Sequence, residues 1–169
     1  EEREYVSFES DLMQLWDEET LVQTLVRKLL TMVDENAGFA MPKISPRDAV
    51  SIFYSKKRQH FPMEFYVRRL VEYMDCSTSA YLLALVYMKR IIQSEEKLVI
   101  NELSVHRLLI TALVLAVKFL DDHVFSNEFY SKVGGLANVR EINQLEAGFL
   151  NIMKFQLAVD ADEFLAFQK

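Results

Sequence analysis

The sequence predicts an all-α protein, and three observations carry that reading. Apolar residues recur at steps of three and four through several long segments, no stretch alternates apolar with polar residues for the length of a strand, and no proline follows Pro62. The chain of 169 residues is 51% hydrophobic, enough apolar surface for one packed core. No internal repeat is evident.

The first helical pattern covers 10–36, where Leu12, Leu15, Trp16, Val22, Leu25, Val26, Leu29, Leu30 and Val33 share a side, with a weak point at 18–20. It reads as an N-terminal helical extension. NAGFAMPKISPRD then brings a glycine and two of the three prolines, so it is a connecting loop. Ser45 and Pro46 offer an N-cap and first-turn proline for a short helix reaching about Tyr54, before a polar break at Lys56, Lys57, Arg58 and His60.

After Pro62 a helix presents Val67, Leu70, Val71 and Met74 on one face. Ser77 caps the next, YLLALVYMKRII, which is apolar almost all round and therefore buried. A third starts near Asn101, with Glu102 in its first turn, carries LLITALVLAVKFL and ends at Asp121, Asp122 and His123. His106 and Arg107, near its start, read as a solvated or capping first turn. A short helix from about Ser126 to Val133 stops at Gly134 and Gly135, where a left-handed C-cap suits glycine. Asn138 with Glu141 forms a capping-box-like pair for a fifth helix, whose stripe is Val139, Ile142, Leu145, Phe149 and Ile152. Gly148 within it allows a close neighbour, and FQLAVDADEFLAFQK reads as a turn and the start of a further helix. The chain thus divides into an extension and loop at 1–61, a main helical domain at 62–157 and the start of a C-terminal helix or tail at 158–169.

Twenty-five acidic against 19 basic residues argue against nucleic acid as the partner, since phosphate binding needs a basic footprint. The longest apolar run is too short to cross a bilayer, so no membrane role is expected. With Cys76 alone and no signal peptide visible, the expected setting is a reducing intracellular compartment, cytoplasm or nucleus. The histidines at 60, 106 and 123 lie in different elements, Cys76 has no CxxC partner, and no phosphate-cradling glycine loop occurs. No enzyme, metal or cofactor is expected.

Two charges stand out instead. Lys118 is the only charge in LLITALVLAVKFL, and Glu146 lies in the apolar pattern INQLEAGFLNIM. A charge among apolar side chains is costly unless partnered, and the residues leave two answers open: the two pair inside the fold, or they line a surface another protein covers. Arg68, Arg69, Lys89 and Arg90, with Lys56 to Arg58 upstream, likewise either converge on an anion-binding face or make solvated charged faces.

The helix with LAVKF, followed by a short helix and another carrying LE, Leu and Phe, resembles a cyclin box. The residues are Leu115, Lys118, Phe119, Glu146, Leu150, Phe155 and Leu157. VHRLLIT (105–111), KFLDD (118–122), YSKVGG (130–135) and INQLEAGFL (142–150) are similar to P-type or U-type cyclins, the group of the yeast phosphate-response cyclin. The resemblance implies a five-helix box around a central apolar helix, in a non-catalytic subunit that binds and activates a cyclin-dependent protein kinase in phosphate signalling or the cell cycle. It further implies that Lys118 and Glu146 reach main-chain groups of the kinase's mobile helix, with Leu115, Phe119, Leu150, Phe155 and Leu157 as apolar anchors. Asp121 and Asp122 would meet the activation segment. Where mitotic cyclins carry an Arg/Asp pair and a docking Trp, this chain has Met63 with Lys89, and Arg69. Arg68, Arg69, Lys89 and Arg90 are thus expected to form an anion or substrate patch for acidic or phosphorylated proteins. The alternative is a cyclin-box scaffold for transcription assemblies with no kinase. Partial exposure of both Lys118 and Glu146 is expected.

Overall fold

A computed structural model describes residues 16–167. Over them the chain forms seven α-helices and one 3-10 turn and contains no strand: α1 (Glu18–Asn36), the turn (Ala49–Phe53), α2 (Met63–Tyr73), α3 (Thr78–Ser94), α4 (Val105–Leu120), α5 (Asn127–Val133), α6 (Val139–Ile152) and α7 (Ala161–Ala166). The all-α expectation and the five-helix arrangement around a central apolar helix both hold. The expected positions Leu12 and Leu15 lie outside the described residues.

The weak point at 18–20 is the start of α1. Asp17 accepts the Thr20 N–H at 2.7 Å and ends the extended approach from Trp16. From there Leu21, Val22, Leu25, Leu29 and Met32 are buried against α2 and α3, whereas Leu30 turns to solvent. The predicted short helix before Tyr54 is a 3-10 turn that begins later. Ser45 and Asp48 close their own turn, the Asp48 carboxylate accepting the Ser45 N–H at 2.8 Å, and Asp48 then runs extended.

α4 is the centre. Twelve of its sixteen residues are buried, and it packs along α3 on one side and α6 on another. It begins at Val105 rather than near Asn101. The Asn101 side chain accepts the Leu103 N–H at 2.9 Å, and the Ser104 hydroxyl donates to the Val99 carbonyl at 2.5 Å, so a tight turn takes up 101–104. His106 and Arg107 correspondingly leave the expected solvated first turn. His106 is buried against Phe61 and Tyr66, and half-buried Arg107 donates to the Ile52 carbonyl at 2.7 Å and pairs with Glu141.

Glycines admit two close crossings. A Cβ on Gly134 would meet Ile110 of α4 at 2.5 Å, and one on Gly148 would meet Ile52 of the 3-10 turn at 2.7 Å. Gly135, at φ 70°, supplies the left-handed turn after α5. In α6 Asn138 caps as expected, and Ile142, Leu145 and Phe149 are fully buried. Val139, expected on the same stripe, is exposed at the first turn. α7 lies against α3, tied by Arg90 and Glu163 at 2.6 Å.

Candidate protein-interaction site

Lys118 sits in the last turn of α4, where the helix's free carbonyls favour a cation. Glu146 comes from the middle of α6 and Asn127 from the start of α5. The three meet. The Lys118 Nζ donates to Glu146 Oε1 at 2.8 Å, to Oε2 at 3.1 Å and to Asn127 Oδ1 at 2.7 Å, while the Asn127 amide donates to Glu146 Oε2 at 2.5 Å. That amide reaches Asn143 Oδ1 as well, at 2.6 Å.

In the free chain the two charges therefore answer each other, at the edge of the core. The Lys118 side chain is 36% exposed and that of Glu146 11%. Partial exposure holds for the lysine; the glutamate is buried, contrary to the expectation, because α6 turns it in toward Lys118 and Asn127. The third member, Asn127, was not legible in the sequence, where it is only the first residue of a short helix.

The apolar candidates divide by depth. Leu115 is buried beneath the cluster, Leu150 and Leu157 are half-buried, and Phe119 and Phe155 stand out at 49% and 64% exposed. Phe119, Met153, Phe155 and Leu157 line a groove of about 700 Å³, and Phe119 also borders a smaller hollow of about 250 Å³ with Leu120, Val159 and Phe164. Exposed aromatics side by side with a polar pair are the makings of a protein-binding surface.

Phe155 owes its position to an unusual backbone. After α6, Lys154 and Phe155 both adopt left-handed conformations, φ 53° and 57°, with the Phe155 N–H closing on the Leu150 carbonyl at 2.9 Å. Neither residue is glycine, so each conformation costs roughly 1–2 kcal/mol. Such strain concentrates at functional places.

The remaining sequence candidates take different partners. Asp121 accepts the Ser77 N–H at 2.9 Å and its hydroxyl at 2.6 Å, bracketing the start of α3 to the end of α4, while Asp122 is exposed. Arg68 is held between Glu19 and Glu64, each at 2.7 Å, and its hydrogen bonds pull the Glu19 carboxyl down to about 2. Arg90 pairs with Glu163. Arg69 donates to the Val133 and Lys132 carbonyls at 2.9 and 3.1 Å, and Lys89 lies 5.4 Å from the centre of the Phe167 ring. The four cations thus sit on separate partners.

Among the described residues no three His, Cys, Asp or Glu side chains gather as metal ligands would, and no helix is long and apolar enough to cross a membrane. Burial pushes the Cys76 thiol up to about 12, which leaves it protonated and unreactive near neutrality.

The family model described as Cyclin matches residues 19–157. The chain is similar to Cyclin-P3-1 of Oryza sativa subsp. japonica, 42% identical over 118 residues, 70% of this chain and 49% of that protein. It is 37% identical over 139 residues to Cyclin-U4-1 of Arabidopsis thaliana, covering 82% of this chain and 68% of the relative. Cyclin-U4-2 of the same plant is 32% identical over 160 residues, 91% of this chain and 74% of the relative. The chain spans about half the length of the rice protein.

Proposed function

Because the chain belongs to the cyclin family, we propose that it is a regulatory subunit that binds a cyclin-dependent protein kinase and activates it by seating the kinase's mobile helix. The observation that carries this reading is the cluster of Lys118, Glu146 and Asn127 beside exposed Phe119 and Phe155. Helices α2 to α6, within 62–157, serve as the box, with α1 as its extension and 158–169 as the start of a C-terminal helix or tail.

On docking, Lys118 exchanges part of its bond to Glu146 for a main-chain carbonyl of the kinase helix, and Glu146 accepts a main-chain N–H. Both charges stay partnered throughout, so the exchange avoids an unpaired desolvated charge. Phe119, Phe155, Leu150 and Leu157 give the apolar anchorage around them, with Leu115 supporting from below. Asp122 is free to meet a basic activation segment, while Asp121 is held by Ser77. The chain carries out no chemistry. It favours the kinase conformation in which the phosphate-positioning lysine and its glutamate are paired, and the differential affinity for that state sets the degree of activation.

The test is the double variant Lys118→Ala with Glu146→Ala. It is expected to keep the helical circular-dichroism spectrum and to lose kinase activation by at least about tenfold, equivalent to ~1.4 kcal/mol of coupling. If it binds and activates the kinase as the parent does, the surface is misassigned. A pull-down with the parent that recovers no kinase would favour the scaffold.

A further inference from the structure

A groove of about 510 Å³ runs between α1, α3 and the end of α7, apart from the Lys118 cluster. Arg27 and Lys28 reach it from α1 and Lys89 from α3, while Met32, Ile92 and Phe167 give it apolar walls. Its size lies within the range of ligand sites.

Acids outnumber bases by six, and among the described residues seven cations are in ion pairs, Arg58, Arg68, Arg90, Lys97, Arg107, Lys118 and Lys132, while ten are in none; three of those ten gather on this one groove. Arg27, Lys28 and Lys89 are in none among the described residues, and Glu35 is the one acid lining the groove. Burial, and then neighbouring Arg27, hold the Lys28 ammonium below its ordinary pKa, as expected of a cation lacking compensation. Clefts lined by one sign of charge concentrate the field and attract the opposite sign.

The apolar walls narrow the class of ligand. A bare polyanion would make no contact with the apolar side of the groove at Ile92 and Phe167, whereas a segment with carboxylates on either side of an aliphatic side chain satisfies both parts. We infer that this groove is a docking site for an acidic peptide segment of a partner protein, its carboxylates on Arg27, Lys28 and Lys89 and an aliphatic residue against Met32, Ile92 and Phe167. Lys89, one of the cations expected to form an anion patch, belongs to this site. Arg68 and Arg90 are already neutralised and do not.

Fluorescence anisotropy with a fluorescein-labelled peptide of alternating glutamate and leucine tests the site. Saturable binding is expected that weakens with salt and falls at least about tenfold in Arg27→Glu and in Lys89→Glu. Arg58→Glu, a cation outside the groove, is expected to bind as the parent does. The neutral variants Arg27→Gln and Lys89→Gln, checked for an unchanged helical spectrum, should show a smaller loss, which keeps the test open if charge reversal disturbs folding. The inference is overturned if binding does not saturate, if Arg58→Glu weakens it equally, if the neutral variants match the parent, or if a lysine–leucine peptide or inorganic phosphate competes as well as the probe. The Lys118→Ala, Glu146→Ala double variant is expected to bind the peptide normally. Loss of kinase activation and loss of peptide binding are therefore separable, and either proposal can fail alone.

Discussion

Glu146 accepts from Lys118 and from Asn127, so removing it takes the carboxylate from the Lys118 ammonium and leaves that charge the Asn127 amide oxygen, while the Asn127 amide keeps Asn143. Glu146→Ala is expected to destabilise the free chain by about 1–3 kcal/mol, the usual cost of losing hydrogen bonds to a charged, largely buried group. Lys118→Ala should cost less, since Asn127 still serves the carboxylate and the lysine is more than a third exposed. Urea denaturation of the two single variants checks the order, and equal losses would contradict it. Gly134 makes a different kind of demand. A methyl group there would drive into Ile110, so Gly134→Ala should lower stability by about 1–3 kcal/mol through overpacking, unless α5 shifts. A melting temperature unchanged from the parent would show that the contact yields.

Caps and brackets act at the scale of the element. Ser77 accepts the Ala80 N–H at 3.2 Å and donates to Asp121, so it both starts α3 and fastens that start to the end of α4. Ser77→Ala is therefore expected to cost at least the ~1 kcal/mol of an ordinary cap, and more than Ser126→Ala, whose hydroxyl caps α5 alone. Comparing the two variants by thermal unfolding decides it. Local signals of this kind were legible in the sequence: Ser77, Ser126 and Asn138 each stand directly before a periodic run, and periodicity located α2, α3 and α6. What the sequence concealed depends on distant residues. The helix expected to start near Asn101 starts later because that side chain is spent on a tight turn, His106 and Arg107 are covered by elements far away in the chain, and Asn127 gains its role only when α4 and α6 converge on it. Lys118 and Glu146 could be singled out, but whether they meet each other could not.

For the whole molecule, buried His106 and half-buried Glu141 each contribute to the response to pH. Burial holds the His106 imidazole below its ordinary pKa of 6.5, and the cleft beside it carries Tyr66, Arg69 and Arg107 with no carboxylate lining it. The unfolded chain then binds a proton that the folded chain refuses. Stability is full above pH 6.5 and is lost as pH falls from there towards the folded pKa. For Glu141 burial opposes ionisation, but the Ala137 N–H and the Arg107 guanidinium outweigh it and hold the carboxyl below 4.5. Its contribution is present above 4.5 and is lost as pH falls through the lowered folded value. Urea midpoints measured from pH 8 to 3 should decline in two stages. His106→Gln should remove the first stage and leave the second, and an unchanged profile would exclude His106 as its source.

The left-handed pair at Lys154 and Phe155 carries a consequence for the lifetime of a complex. Backbone held in place before any partner arrives has little freedom left to lose on docking, and pre-organisation of this kind appears chiefly in the dissociation rate. Lys154→Gly would relieve the strain in the isolated chain and at the same time loosen the platform that presents Phe155. The variant should melt higher than the parent yet release the proposed kinase partner faster, so that resistance to heat and residence time move in opposite directions.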